Sequence, residues 1–223
     1  MTEPADKPPA PTPEEKIPKA VVNRLSLYLR ELQRLVRDGH ETTSSTQLGK
    51  LLEFTDAQVR KDLAYFGQFG YPGIGYRCAE LIDKIKEILG TNQQWPLAMI
   101  GLGNLGRALL GYRGFTHQGF KIVAAFDVDE AKVGKQIDGI PIFHLNQLGE
   151  KVSQLGIRLA VIAVPSQEAQ KVADSLVEAG IEGILNFAPV TITVPKQIHL
   201  EGVDLAIELE QLSFAVVNRL AKP

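Results

Sequence analysis

The sequence predicts an α/β protein built as a small helix-turn-helix domain followed by a parallel, doubly wound sheet. Three observations carry this. Two short helices, each opened by a cap motif, stand eleven residues apart and precede a run rich in glycine and aromatic residues. A Gly-x-Gly-x-x-Gly motif sits between a buried apolar run and a helical period. From residue 95 onward, apolar runs alternate with amphipathic helices.

Length and composition agree. The 223 residues suit one or two domains, and 44% hydrophobic with 22% charged residues is ordinary globular composition. No apolar run reaches the roughly 18–20 residues of a membrane span. Residues 1–16 hold five prolines and no large apolar side chain, so they read as a disordered leader and not as a signal peptide. The single cysteine, Cys78, excludes an intramolecular disulfide and a multi-thiolate metal site, and implies a reducing compartment. Net charge is −2 overall, while residues 17–77 hold nine basic and six acidic residues. That asymmetry is too small to mark a nucleic-acid surface by itself.

The elements follow in order. Pro18 suits the first turn of a helix carrying Val21, Val22, Leu25, Leu29, Leu32, Leu35 and Val36 at a 3.6-residue period, with Gly39 as its stop. Ser44 with Gln47, and Thr55 with Gln58, each read as a capping box. The first opens a helix that turns Leu48, Leu51 and Leu52 inward; a tight Glu53–Phe54 turn leads to the second. There Val59, Leu63 and Phe66 share one face, leaving Gln58, Arg60, Lys61 and Tyr65 on others. Four glycines in residues 66–76 predict a β-hairpin wing, and residues 79–90 a helix ended by Gly90. The polar stretch 91–94 marks the domain boundary. Strands are expected over 95–103, 120–129, 159–165 and 182–189, with helices from 104 and over 166–180. The tail, 203–221, places Leu205, Leu209, Leu212, Val216 and Leu220 close to a heptad seam.

The sharpest motif is Gly101-Leu102-Gly103-Asn104-Leu105-Gly106. Gly101 permits a tight turn, Gly103 lets a pyrophosphate approach the backbone, and Gly106 lets the helix pack on the strand. The helix N-terminus then offers N–H donors to phosphate. Asp127, 21 residues beyond Gly106 and followed by Val128 and Asp129, suits a ribose 2′-hydroxyl and so favours NAD(H) over NADP(H). Coenzyme A or a nucleotide sugar are the alternative ligands. Val164-Pro165 and Asn186-Phe187 end the next two strands and are expected to flank the cofactor, with Asn186 able to bond its nicotinamide half. His40, His117, His144 and His199 are the histidines, and none falls beside these strand ends. His144 and His199 read as loop residues. A nucleotide site without an acid–base group suggests sensing rather than turnover. Arg60 and Lys61, near the start of a second helix, are candidate contacts to guanine or to phosphate.

Taken together, SSTQLGKLLEFTDAQVRKDLAYFGQFGYPGIGY, IGLGNLGRALLGY, FDVDEAKVG and GILNFAPVTITVP resemble the redox-sensing transcriptional repressors of the Rex family, from about Ile17 to Leu220. The resemblance implies a cytoplasmic homodimer: an N-terminal winged-helix (helix-turn-helix) domain over 17–90, a Rossmann NAD(H)-binding domain over 91–202, and a domain-swapped C-terminal helix over 203–223. It implies binding to operator DNA when NADH is low and release when NADH binds. No metal, membrane or catalytic activity is implied. By motif it places Ser45, Gln58, Arg60, Lys61, Tyr65, Tyr71 and Gly73 at DNA. It implies NADH or NAD+ contacts at Gly101, Leu102, Gly103, Asn104, Leu105, Gly106, Asp127, Val128, Val164, Pro165, Asn186, Phe187 and Tyr112. It implies a switch in which Asp204 alternates between Tyr112 and Arg30. This chain departs from the family's usual basic residue before the wing's central glycine, having Pro72, and carries Leu205 where some members have Phe.

Three functions remain in competition: an NADH-responsive repressor, an NAD-dependent dehydrogenase, and a coenzyme A or nucleotide module without DNA binding. The absent catalytic His or Lys counts against the second. The paired caps and the wing count against the third.

Overall fold

A computed structural model describes residues 17–220; the expected leader, 1–16, lies outside them. The chain divides into two compact units, Met1–Gln93 and Gln94–Pro223.

In the first unit, helix α1 (Lys19–Arg37) begins directly after Pro18 and buries Val21, Leu25, Tyr28, Leu29, Leu32 and Leu35. Gly39, at φ 86°, turns the chain so that the His40 N–H closes on the Leu35 carbonyl. Strand β1 (Thr42–Thr43) leads to α2 (Ser45–Leu52), which ends on a left-handed Glu53. A Cβ on Gly49 would lie 2.5 Å from the Phe54 carbonyl oxygen, so glycine there allows the turn into α3 (Asp56–Ala64) to be this tight. Strand β2 (Tyr76–Arg77) pairs antiparallel with β1 and runs into α4 (Cys78–Leu89), capped by Gly90 at φ 69°. Leu25, Tyr28, Leu32, Leu48, Val59, Leu63, Leu81 and Ile85 make one core, each leucine contributing about 1.5–3 kcal/mol by burial.

Two local expectations change. The Ser44 and Thr55 hydroxyls accept from the N–H groups of Gln47 and Gln58, each at 3.1 Å, but the boxes are half-made. The Gln47 side chain accepts from the Thr43 hydroxyl, and the Gln58 amide turns to Asp62. The wing is smaller than a hairpin: Tyr71 and Gly75 form a single bridge, because the residues beyond it pair with β1 instead.

The second unit holds β3 (Trp95–Ile100), α5 (Asn104–Leu110), α6 (Arg113–His117), β4 (Phe120–Asp127), β5 (Gln136–Ile137), β6 (Ile140–His144), α7 (Leu148–Leu155), β7 (Leu159–Ile162), α8 (Ser166–Glu178), β8 (Gly183–Asn186), β9 (His199–Gly202) and α9 (Leu205–Leu220). The sheet order is β5-β6-β4-β3-β7-β8-β9, parallel except for β5. Apart from the added edge strand this is the doubly wound order, whose direction reverses between β3 and β7. One apolar core lies on each face of the sheet. The β5–β6 hairpin, α6, α7 and β9 were not expected, and the four expected strands are shorter than their apolar runs. His144 and His199 belong to strands rather than loops: His144 ends β6 opposite Asp127, and His199 opens β9.

Helix α9 has almost no packing within the chain. Leu205, Leu209, Leu212, Phe214, Val216 and Val217 are 54–72% exposed.

Candidate functional site

The expected nucleotide-binding residues gather where β3, β4 and β7 stop. Gly101 sits at φ 90°, and a Cβ there would fall 2.6 Å from the Ala163 carbonyl oxygen. A Cβ on Gly106 would lie 1.9 Å from the Gly101 oxygen, so helix α5 meets β3 only because glycine occupies this position. Gly103 differs: a Cβ there meets nothing within 4 Å. Its absence leaves room above the backbone, as a pyrophosphate needs. A cleft of about 530 Å³ opens here, lined by Gly101, Leu102, Gly103, Asp127, Val128, Val164 and Pro165 together with Lys132 and Leu145. Leu102 turns its side chain into the core, whereas Asn104 and Leu105 are exposed on the first turn of α5.

Asp127 is buried yet ionised. Burial opposes its charge, but the Asp129 N–H (2.9 Å), the Lys132 ammonium (3.0 Å) and the Leu102 N–H (2.8 Å) outweigh it and hold the carboxyl below the usual range. A carboxylate has about four acceptor sites, and three are filled here. The acceptor site left over among the described residues is on Oδ1, so a further donor such as a hydroxyl could bond there without displacing one already present. Lys132 also stands 3.4 Å from Asp129, so two carboxylates surround one ammonium and a 2′-phosphate meets net negative charge. Lys132 was invisible in the sequence, since only the fold of the loop after β4 returns it to Asp127.

Other expected cofactor residues are placed differently. The buried Asn186 amide does not point outward. It donates to the Ala188 and Val190 carbonyls and accepts from the Ala188 N–H, shaping the loop after β8. A bond to a nicotinamide would first require that loop to open. Phe187 is half-buried, and its N–H extends the ladder to Ile162. Tyr112 is 56% exposed, lies edge-on to Phe115 and covers Gly114. Asp204 caps α9 by accepting from the Ala206 N–H at 2.9 Å. Tyr112 and Asp204 line separate clefts of this unit, and Arg30 is an exposed residue of the other unit. The His144 ring accepts from the Asn146 N–H and, with Gln147, makes a complete capping box before α7.

The helix-turn-helix surface carries the second constellation. Arg60 donates to Asp56 (2.7 Å) and to the Ser45 hydroxyl (3.1 Å), so Ser45 holds the arginine and is itself buried. Lys61 is exposed with no ion-pair partner among the described residues. Gln58 gives its amide N–H to Asp62 (2.7 Å), which leaves its amide oxygen without a donor among the described residues. Tyr65 is half-buried beside Phe66. Tyr71 donates to Glu80, and Gly73 is open at φ 76°.

Asp62, which the sequence reading passed over, organises α3. Fully buried, it accepts from Arg24 through Nε and Nη2, from Tyr28 (2.8 Å) and from Gln58. The signal was present: three residues after Val59 and one before Leu63, Asp62 falls on the helix's apolar face.

Comparison with known proteins adds a consistent pattern. The family described as "Putative DNA-binding protein N-terminus" matches residues 16–64, and the one described as "CoA binding domain" matches residues 92–190. A redox-sensing transcriptional repressor Rex of Syntrophobacter fumaroxidans is 50% identical over 89% of this chain and 95% of its own length. The Rex of Thermus thermophilus is 47% identical over 91% and 95%. The crystal structure of RSP with β-NAD+ and operator DNA has a TM-score of 0.88 at 32% identity, covering 93% of this chain and 96% of that one. That of RSP with β-NADH has a TM-score of 0.84 at 30% identity, covering 93% and 98%.

Proposed function

The chain belongs to the Rex family of redox-sensing transcriptional repressors, and on that premise we propose that it binds operator DNA as a homodimer while NADH is scarce and releases it when NADH fills the second unit. Like its relatives it is a regulator and not an enzyme. No helix among the described residues is long and apolar enough to cross a membrane, and we place its work in the cytoplasm, where NADH and chromosome meet.

The observation that carries this reading is the open glycine cradle beside an ionised Asp127 with one acceptor site to spare. It fits a dinucleotide with free ribose hydroxyls. Gly103 admits the pyrophosphate, the first turn of α5 supplies N–H donors to it, and Asp127 orients the adenosine ribose. Reduction changes the nicotinamide by one hydride and removes its positive charge. A mostly apolar enclosure formed around the ring on binding would separate the two forms, since desolvating a charge is costly.

For transmission, Asp204 opens α9, and its two proposed partners stand on different parts of the chain, Tyr112 in the second unit and Arg30 in the first. Exchange between Tyr112 and Arg30 gives a two-state element that nucleotide biases. The unpacked apolar side chains of α9 supply the surface on which two copies join, and swapping α9 onto the partner would bring Asp204 to it. Coupling of about 1–3 kcal/mol changes operator affinity roughly 5–150-fold, and DNA weakens NADH binding by the same factor. On DNA, Lys61 and Arg60 on α3 face the major groove, with Tyr71 and Gly73 at the wing.

Fluorescence anisotropy on a labelled palindromic operator, titrated with NADH and then NAD+, tests this. Release by NADH with NAD+ failing or competing is the expected result. Binding indifferent to both nucleotides overturns the sensor, and absence of binding overturns the repressor.

A further inference from the structure

The wing segment, residues 66–76, contains no lysine or arginine. The first cation after it, Arg77 on β2, folds back over it. Its guanidinium carbon lies 4.9 Å from the centre of the Tyr71 ring. Glu80, in the first turn of α4, accepts from Arg77 Nη1 and from the Tyr71 hydroxyl, both at 2.9 Å. The three side chains thus form a cluster at the solvent face, 54% exposed at Arg77 and 50% at Glu80. Arg77 Nε and Nη2 carry no hydrogen bond among the described residues. Gly73, at the tip of the same turn, leaves space within 4 Å of where a side chain would begin.

We propose that Arg77, laid on Tyr71 and held by Glu80, gives the wing its contact to the DNA phosphate backbone. The inference rests on the DNA-binding reading above and adds a residue to it. A flat guanidinium with free edge donors suits a phosphate oxygen, and stacking on an aromatic ring fixes its direction at small entropic cost. Contacts of this kind position a protein on the duplex without reading bases. Glu80 presents the arginine in free protein and competes with phosphate for it. An exposed pair of this type contributes little to stability, so the variants that test the idea remain folded.

The test uses the full chain, without nucleotide, on two fluorescein-labelled 30-base-pair duplexes. One carries an inverted repeat selected by this protein from a random pool; the other is scrambled. Affinity is measured over a KCl series. Arg77→Gln weakens both duplexes about fivefold and lowers the slope of log affinity against log salt by about 0.9, the value of one phosphate contact. Arg77→Lys keeps most of the slope. Glu80→Gln tightens both duplexes about threefold, because it removes a negative charge beside the phosphate. If Arg77→Gln leaves affinity and slope unchanged while the parent binds, the assignment of Arg77 is wrong and the repressor reading stands. If Glu80→Gln weakens binding as much as Arg77→Gln, no phosphate sits at this cluster. If the parent binds neither duplex, both readings fall.

Discussion

Replacing Asp62 by asparagine keeps its shape and removes its charge, and should loosen helix α3. Its carboxylate receives Arg24 Nη2 at 2.8 Å, the Tyr28 hydroxyl at 2.8 Å and the Gln58 amide at 2.7 Å, with Arg24 Nε as a fourth donor. An amide offers one acceptor oxygen and adds two donors of its own, so donors would face donors. Removing one partner of a buried ion pair costs about 3–5 kcal/mol. The Arg24 side chain is 21% exposed and can turn toward water, which favours the lower end, about 3 kcal/mol. For a unit of this size that lowers the melting temperature by about 12–24 °C. Calorimetry on the full chain should show the first unit melting earlier, and operator binding should fall with it.

The deficit also depends on pH. Burial alone would raise the Asp62 carboxyl, but hydrogen bonds from Arg24, Tyr28 and Gln58 and the charge of Arg24 hold it below its ordinary range. A lowered value means stability present above the unfolded carboxyl value of about 3.9 and lost as pH falls through the folded one. The gap between parent and Asp62→Asn should be full above about pH 5 and shrink below about pH 4. A neutral-pH melting temperature within about 3 °C of the parent would refute the argument, because it would leave less than 1 kcal/mol for the whole hub.

Three further outcomes follow from the second unit. Gly106→Ala sets a methyl against the Gly101 carbonyl and should cost about 3 kcal/mol or more, read by thermal melting, whereas Gly103→Ala should melt like the parent yet bind NADH at least about tenfold more weakly. Asp204→Asn keeps the cap of α9 but not its charge; isothermal titration should find NADH binding nearly intact while anisotropy finds operator release blunted, and unchanged release would sink the switch. Leu212→Glu places a charge in the exposed apolar stripe of α9 and should shift the protein to single chains in light scattering.

What could be read from the sequence was whatever rests on local rules. The glycine motif carries its own spacing, and each of its glycines meets a distinct steric demand. The hydroxyl caps of α2 and α3 were legible because a Ser or Thr three residues before a free N–H is a local geometry. Their reciprocal halves were not, because each glutamine side chain takes a partner four residues away instead, Gln47 with Thr43 and Gln58 with Asp62, whose carboxylate Arg24 and Tyr28 hold in place. The β5–β6 hairpin was missed although Asp138-Gly139, at φ 50° and 79°, is a turn pair flanked by apolar residues. Asp127 was found by position, but the donors that fill it come from three points along the chain. Asn186 shows the converse: a polar residue at a strand end looked like a ligand contact and proved to hold its own loop.

Helix α9 has a consequence for concentration. Among the described residues the apolar side chains of α9 stay exposed, and an unpacked helix gains little from folding alone; if, as proposed, a second copy covers it, its order and its partner are acquired together. Apparent stability then rises with the amount of protein. Operator recognition inherits the same dependence: two linked reading heads hold adjacent half-sites at high effective concentration, and a lone chain has only one. On this proposal the copy number of the protein would be a second input to its regulation. Chains with a damaged α9 would drop out as inert singles, while chains damaged only at α3 would still pair and silence their intact partners.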